Sequence, residues 1–325
     1  MSHIEAAIID ELRKAPDQGR RSVDEVLTGR SFAAVVLDDG SVGAAMDYAQ
    51  FRPGAASSAA VTCRRGGELT DYLGTSPGAS LLDCDLLRTP VSDSDLTRQA
   101  VKIALLGALS RPWFRDGALA ATGFDHLVAS FDETHLHQPE SAVTQALTRA
   151  VAGAGTVGVV GFGGLMEHFA DLDGVRRVLV ADLHEAPRAD RIDRTLARFN
   201  ARFDEPRIQM VGNDLRRLAE ECDIVQITPS SLCNGTMDDL IQTLRGIPLI
   251  VVGPSGAVPP PVWQANDVVL VCTEIKDSRF VRAYHNDDHL YEWFVEYDRR
   301  LVYWPTVTRP EKSAGITRPT SRVVV

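Results

Sequence analysis

The sequence predicts an α/β protein: a smaller α+β domain over residues 1–150, followed by a doubly wound parallel sheet over residues 151–325. Three observations predict it. From residue 155 onward, apolar runs at 157–160, 175–180, 208–211, 224–227, 249–252 and 268–271 alternate with amphipathic stretches, the rhythm of βαβ units around a sheet covered on both faces. The first run ends in a glycine-rich turn. Before residue 150 the alternation is missing, and a hairpin and isolated helical patterns stand in its place.

Residues 4–13 place Ile4, Ala7, Ile8 and Leu12 at helical spacing, which predicts an amphipathic opening helix. The apolar runs 31–37 and 42–46 flank Asp38-Asp39-Gly40-Ser41, two short strands joined by a tight turn. Residues 54–90 are rich in Gly, Ser, Ala and Pro, show no clean period and carry no assigned element. Helical spacing returns over 95–109, with Ser94 or Asp95 as cap, and over 140–151 after Pro139. The domain boundary falls at Ala150-Val-Ala-Gly-Ala-Gly155. Residues 287–299 form a last helical pattern, and the Thr-, Arg- and Pro-rich residues 305–325 are extended or disordered.

Composition narrows the function. The 325 residues are 44% hydrophobic and 24% charged, an ordinary globular mixture able to bury a core. A net charge of -10 and no basic cluster beyond Arg20-Arg21 or Arg64-Arg65 leave no footprint for nucleic acid. No apolar stretch reaches the roughly 18 residues of a membrane span, and residues 1–14 lack a signal-peptide pattern, so a cytoplasmic location is expected. The five cysteines (Cys63, Cys84, Cys222, Cys233, Cys272) form no C-x-x-C pair, which argues against a disulfide framework or a zinc ribbon.

The turn Gly161-Phe-Gly163-Gly164-Leu-Met166 opens a helix, and Asp182 ends the next strand. Glycines let backbone approach a phosphate or nucleoside, the helix start adds positive potential, and an acid at that place bonds ribose hydroxyls. Met166 stands where the dinucleotide fingerprint has Gly or Ala. Asn213-Asp214 after the third strand has the order found in S-adenosylmethionine-dependent methyltransferases, an analogy of fold. The Rossmann-like half is therefore expected to hold S-adenosylmethionine in preference to NAD. The competing reading gives these residues to tight turns and helix caps. Two further loops, Thr228 to Thr236 and Gly253-Pro-Ser-Gly256, lie at the carboxyl ends of adjacent strands, where open α/β sheets bind ligands. Within the first, Thr236-x-x-Asp239 has the form of a capping box, and Cys233 is either a reactive thiol near a helix start or a small buried side chain.

The segments Ile227-Thr-Pro-Ser-Ser-Leu-Cys-Asn-Gly-Thr236, Val251-Val-Gly-Pro-Ser255 and Val157-Gly-Val-Val-Gly-Phe162 carry a resemblance to the DUF364 family, whose label refers to heavy-metal chelation. The hairpin with Gly40-Ser-Val-Gly43 is similar to the accompanying DUF4213 domain. Together the resemblance spans most of residues 1–285. It implies an enolase-N-terminal-like domain before the Rossmann-like one and a ligand site in the cleft between them. Matched position by position, it points at Thr228, Ser231, Asn234, Thr236, Gly253 and Ser255. The chain departs from the family at Pro229 and at Gly107, where an Asn-Ala pair is expected.

For metals, His135-Leu-His137 alternate as on a strand beside Asp132, Glu133 and Glu140, and His285 and His289 are four apart with Asp287 and Asp288 between them. Two functions follow. One is a small-molecule enzyme with a nucleoside cofactor, in which Glu133, His135 and His168 are the candidate acid–base groups. The alternative is a protein that binds a heavy metal or metallophore without turnover, with His135 and His137 as ligands. A small-molecule substrate and a homo-oligomer are expected in either case.

Overall fold

The computed structural model of the chain describes residues 1–15, 21–51, 61–75, 79–92, 94–115, 117–130, 142–161, 165–182, 189–286 and 299–306. It contains two sheets. The first is antiparallel, in the order β3-β2-β1-β4, from β1 (Val23–Thr28), β2 (Phe32–Leu37), β3 (Val42–Met46) and β4 (Thr62–Arg65). β2 and β3 are the expected hairpin. Gly40, at φ +77°, supplies the left-handed turn residue, and Leu37 N–H donates to Ser41 C=O at 2.9 Å.

Period-two alternation gives this sheet two buried faces. Val26, Ala33, Val35 and Ala45 pack toward the helix Leu96–Leu109, in one core with the opening helix His3–Lys14. Leu27, Phe32, Ala34, Val42 and Ala44 form a separate cluster with Phe280 and Tyr284 of the helix Ser278–His285. The sheet is thus sandwiched between one helix close to it in sequence and one more than 200 residues away. Asp95 caps Leu96–Leu109 by accepting Arg98 N–H at 3.0 Å, and Ser2 caps His3–Lys14 by accepting Glu5 N–H at 3.1 Å.

The second sheet has eight strands in the order β5-β12-β11-β10-β9-β6-β7-β8: β5 (Phe124–Ser130), β6 (Thr156–Val160), β7 (Arg177–Ala181), β8 (Ile208–Gly212), β9 (Ile224–Ile227), β10 (Leu249–Val252), β11 (Val268–Ile275) and β12 (Arg299–Pro305). The six strands from β6 to β11 are parallel, while β12 and β5 add antiparallel at one edge. Each apolar run read from the sequence is one of these parallel strands. Taking β6 to β11 as strands one to six, their spatial order is 3-2-1-4-5-6, the doubly wound arrangement whose switch point lies between β6 and β9. β5, from residues before 150, joins this sheet too. The helical pattern at 287–299 lies outside the described residues except for Arg299, which begins β12. No helix among the described residues is long and apolar enough to cross a membrane.

Candidate metal centre

Strand alternation puts Glu25 and Leu27 of β1, and Cys63 and Arg65 of β4, on the sheet face that the helix Ser278–His285 covers. In register, Glu25 pairs with Arg65 and Leu27 with Cys63, so Cys63 and Glu25 are diagonal neighbours within side-chain reach. The covering helix starts at Asp277, which accepts Arg279 N–H at 2.8 Å, and is anchored by Tyr284, whose hydroxyl donates to Phe32 C=O at 2.5 Å. His285, the next and last residue of that helix, is thereby held over Glu25.

Three side chains converge, through four atoms, on one carboxylate oxygen. Glu25 Oε1 accepts from Cys63 Sγ at 2.8 Å and from Arg65 Nη2 and Nε at 2.6 and 3.0 Å, and lies 2.9 Å from His285 Nε2. Glu25 is buried, whereas Cys63 and His285 are exposed, so the cluster has a buried floor and an open side. Burial alone raises the carboxyl pKa, but hydrogen bonds from Cys63, His285 and Arg65 outweigh it and hold Glu25 below its ordinary value. The thiol responds in the opposite direction. Burial, then the hydrogen bond to Glu25 and its negative charge, push Cys63 up to about 11. A thiol, an imidazole and a carboxylate with ligand atoms within 4.8 Å of one another form the only such metal-capable group among the described residues. The donor set suits a borderline-soft divalent ion such as zinc, and poorly suits calcium or magnesium, which take oxygen donors.

The carboxyl ends of β6, β9 and β10 form a second cluster, beside the switch point. A Cβ on Gly161 (φ +92°) would lie 3.2 Å from Thr228 Cγ2, and one on Gly253 (φ +144°) would lie 3.1 Å from the Pro229 ring, so both positions need glycine for conformation and for space. Thr228 Oγ1 is 2.8 Å from Ser230 Oγ, which is 2.9 Å from the Tyr48 hydroxyl. Ser255 Oγ accepts Met46 N–H at 3.5 Å and lies 3.6 Å from Cys233 Sγ. These loops pack against β3 and the turn after it. Ser230, Ser231 and Ser255 are buried there, and Cys233 is fully buried with its thiol pushed up to about 12 by desolvation, which favours the small-core-residue reading. Asn234 turns back on its own loop, accepting from Thr236 N–H and Oγ1 at 3.2 and 2.7 Å.

The remaining predicted residues among those described lie away from the metal cluster. Asp182 follows β7, its N–H donating to Gly212 C=O at 2.9 Å. Asn213 is exposed, and Asp214 caps the helix Leu215–Glu221 by accepting Arg217 N–H at 3.1 Å. His168, on the helix Leu165–Asp171, is buried beside Phe169. Thr236 forms no capping box, since its side chain makes no cap bond to the helix Met237–Thr243. Glu133, His135, His137, Gly163, Gly164 and His289 lie outside the described residues. Of the three metal-cluster residues, sequence reasoning singled out His285, counted Cys63 without a role and missed Glu25. The available signal was alternation: it puts Glu25 on one face with Leu27, and Cys63 on one face with Arg65.

Fold and site together define a Rossmann-like α/β protein with an antiparallel-sheet domain and a mixed thiol, imidazole and carboxylate cluster where the two meet. Residues 144–282 match the family model DUF364, described as "Putative heavy-metal chelation", which upholds that resemblance over this stretch. Two solved structures of DUF364-family proteins of unknown function share the fold. One, from Pyrococcus horikoshii, is 11% identical with a TM-score of 0.55 and covers 92% of this chain and 98% of its own. The other, from Desulfitobacterium hafniense, is 16% identical with a TM-score of 0.53 and covers 91% and 96%. These matches do not show the DUF4213 domain. No curated protein matches the chain.

Proposed function

We propose that the chain captures a divalent heavy-metal ion through Glu25, Cys63 and His285 and does not turn it over. One observation carries the reading: three donors from segments far apart in sequence meet within 4.8 Å at a junction of the two sheets' elements, open to solvent on one side. The family description supports it. The ion is the cargo. Its binding displaces the Cys63 proton to water and replaces the thiol–carboxylate hydrogen bond with two metal bonds.

Equilibrium dialysis against Zn²⁺ tests the proposal. Wild-type protein should retain one equivalent, and Cys63→Ser, Glu25→Gln and His285→Ala should each weaken retention at least tenfold with an unchanged far-ultraviolet spectrum. Zinc retention that ignores all three substitutions overturns it. The strand order favours a second ligand at Gly161, Thr228 and Gly253, and a nucleoside such as S-adenosylmethionine is the candidate there. Native mass spectrometry separates the two, because Asp182→Ala should abolish a nucleoside adduct and leave metal retention intact.

A further inference from the structure

Three protein donors leave a tetrahedral ion one position short, and Arg65 borders it. The guanidinium contacts Glu25 Oε1 through two nitrogens and lies 3.4 Å from His285 Nε2, so it touches two of the three donors. Its side chain is 64% exposed, which places it on the open side. A charge count follows directly. A divalent ion with one carboxylate, one thiolate and one neutral imidazole is neutral, and Arg65 then no longer has the Glu25 charge to itself. Its contact to His285 Nε2 must yield when that lone pair turns to the ion, since guanidinium nitrogens only donate, and its contacts to Glu25 Oε1 yield where that oxygen is the one that binds. The two-nitrogen fork is then left facing the vacant position, and it matches the geometry of a carboxylate.

We infer that the site takes its metal together with a carboxylate-bearing ligand, which fills the fourth position and pairs with Arg65. This rests on the metal-binding reading, and it narrows the cargo to a metal–carboxylate chelate. The competing role for Arg65 is plain counter-ion to Glu25. In that case removing it strengthens metal binding, and no anion is recruited.

Co²⁺ and acetate separate these outcomes in chloride-free buffer. Co²⁺ alone should give a thiolate charge-transfer band in wild type and in Arg65→Gln. Acetate added to the loaded wild type should shift the visible cobalt bands saturably. That response should be at least tenfold weaker in Arg65→Gln and only partly restored in Arg65→Lys, which keeps the charge and loses the fork. Cobalt loading with no acetate response, with an equal response in Arg65→Gln, or with chloride as effective as acetate overturns the inference and leaves the metal reading standing. No thiolate band in wild type removes both.

Discussion

Cys63 shows how far one neighbour sets a side chain's chemistry. With its thiol near 11, the nucleophilic thiolate is scarce at neutral pH although the residue is exposed. The other four cysteines are buried, so native alkylation by iodoacetamide should report Cys63 alone. Its rate should be slow at pH 8 and rise about tenfold per pH unit until the thiol titrates. Glu25→Gln removes the negative charge and should speed the reaction at pH 8 by about tenfold or more. An unchanged rate, followed by mass spectrometry, would show that Glu25 does not govern the thiol. The reason this cluster was only partly legible is physical. Metal-ligand spacing is readable when ligands share one turn or one strand, and here they are joined by β1–β4 pairing and by a helix from the other half of the chain.

At the scale of elements, two touching glycines should answer the same substitution in opposite ways. Gly43 on β3 lies against the helix Leu96–Leu109, where a Cβ would sit 1.9 Å from Ala104 C=O and 2.4 Å from Ala108 N. Neither backbone atom can retreat without moving the helix, so Gly43→Ala should cost about 3 kcal/mol or more. The Cβ of a residue at Gly107 would meet nothing closer than Ala257 C=O at 3.6 Å, and the helix interior favours alanine. Gly107→Ala should stabilise by about 0.5–1 kcal/mol. Urea unfolding of both variants checks the pair, and a tolerated Gly43→Ala would show that β3 and the helix can part. The hairpin of β2 and β3 was readable because apolar runs flank a glycine turn. β1 and β4 were not: Val-Asp-Glu-Val-Leu-Thr has its only apolar pair in sequence neighbours, and Thr-Cys-Arg-Arg has no apolar face. The inner parallel strands were legible because burial on both faces writes a nearly continuous apolar run, while the edge strand β8 keeps only a partial one, Ile-Gln-Met-Val.

Across the whole molecule, the halves are joined by polar ties as well as apolar ones. Lys102 Nζ and Glu5 Oε2 lie 2.7 Å apart, both side chains almost wholly buried. Gln99 Nε2 donates to Glu5 Oε1 at 2.7 Å and to Leu232 C=O at 2.9 Å, tying both helices to the loop after β9. From the other side, the Asp238 carboxylate accepts His3 and Ile4 N–H, so the residue beside the failed capping box caps the opening helix instead. Lys102→Met leaves a buried carboxylate without its cation and should cost about 3–5 kcal/mol, while the Lys102→Met, Glu5→Gln pair should recover much of the loss. Denaturation of the single and double variants measures the coupling, and additive losses would mean that the ion pair does not act as a unit. None of this network was readable in advance, because a buried Lys or Glu has no periodic signature and gains its partner only on packing.

The sandwiching of the first sheet by the helix Ser278–His285 also has a temporal side. A ribosome that has delivered β4 must add roughly 210 more residues before Phe280 and Tyr284 emerge, on the order of 10–40 s at typical elongation rates. Throughout that interval Leu27, Phe32, Ala34, Val42 and Ala44 form an apolar surface without its cover. The first sheet is therefore completed in sequence long before the helix that covers one of its faces, and slowing elongation after β4 should lengthen the exposure of that face.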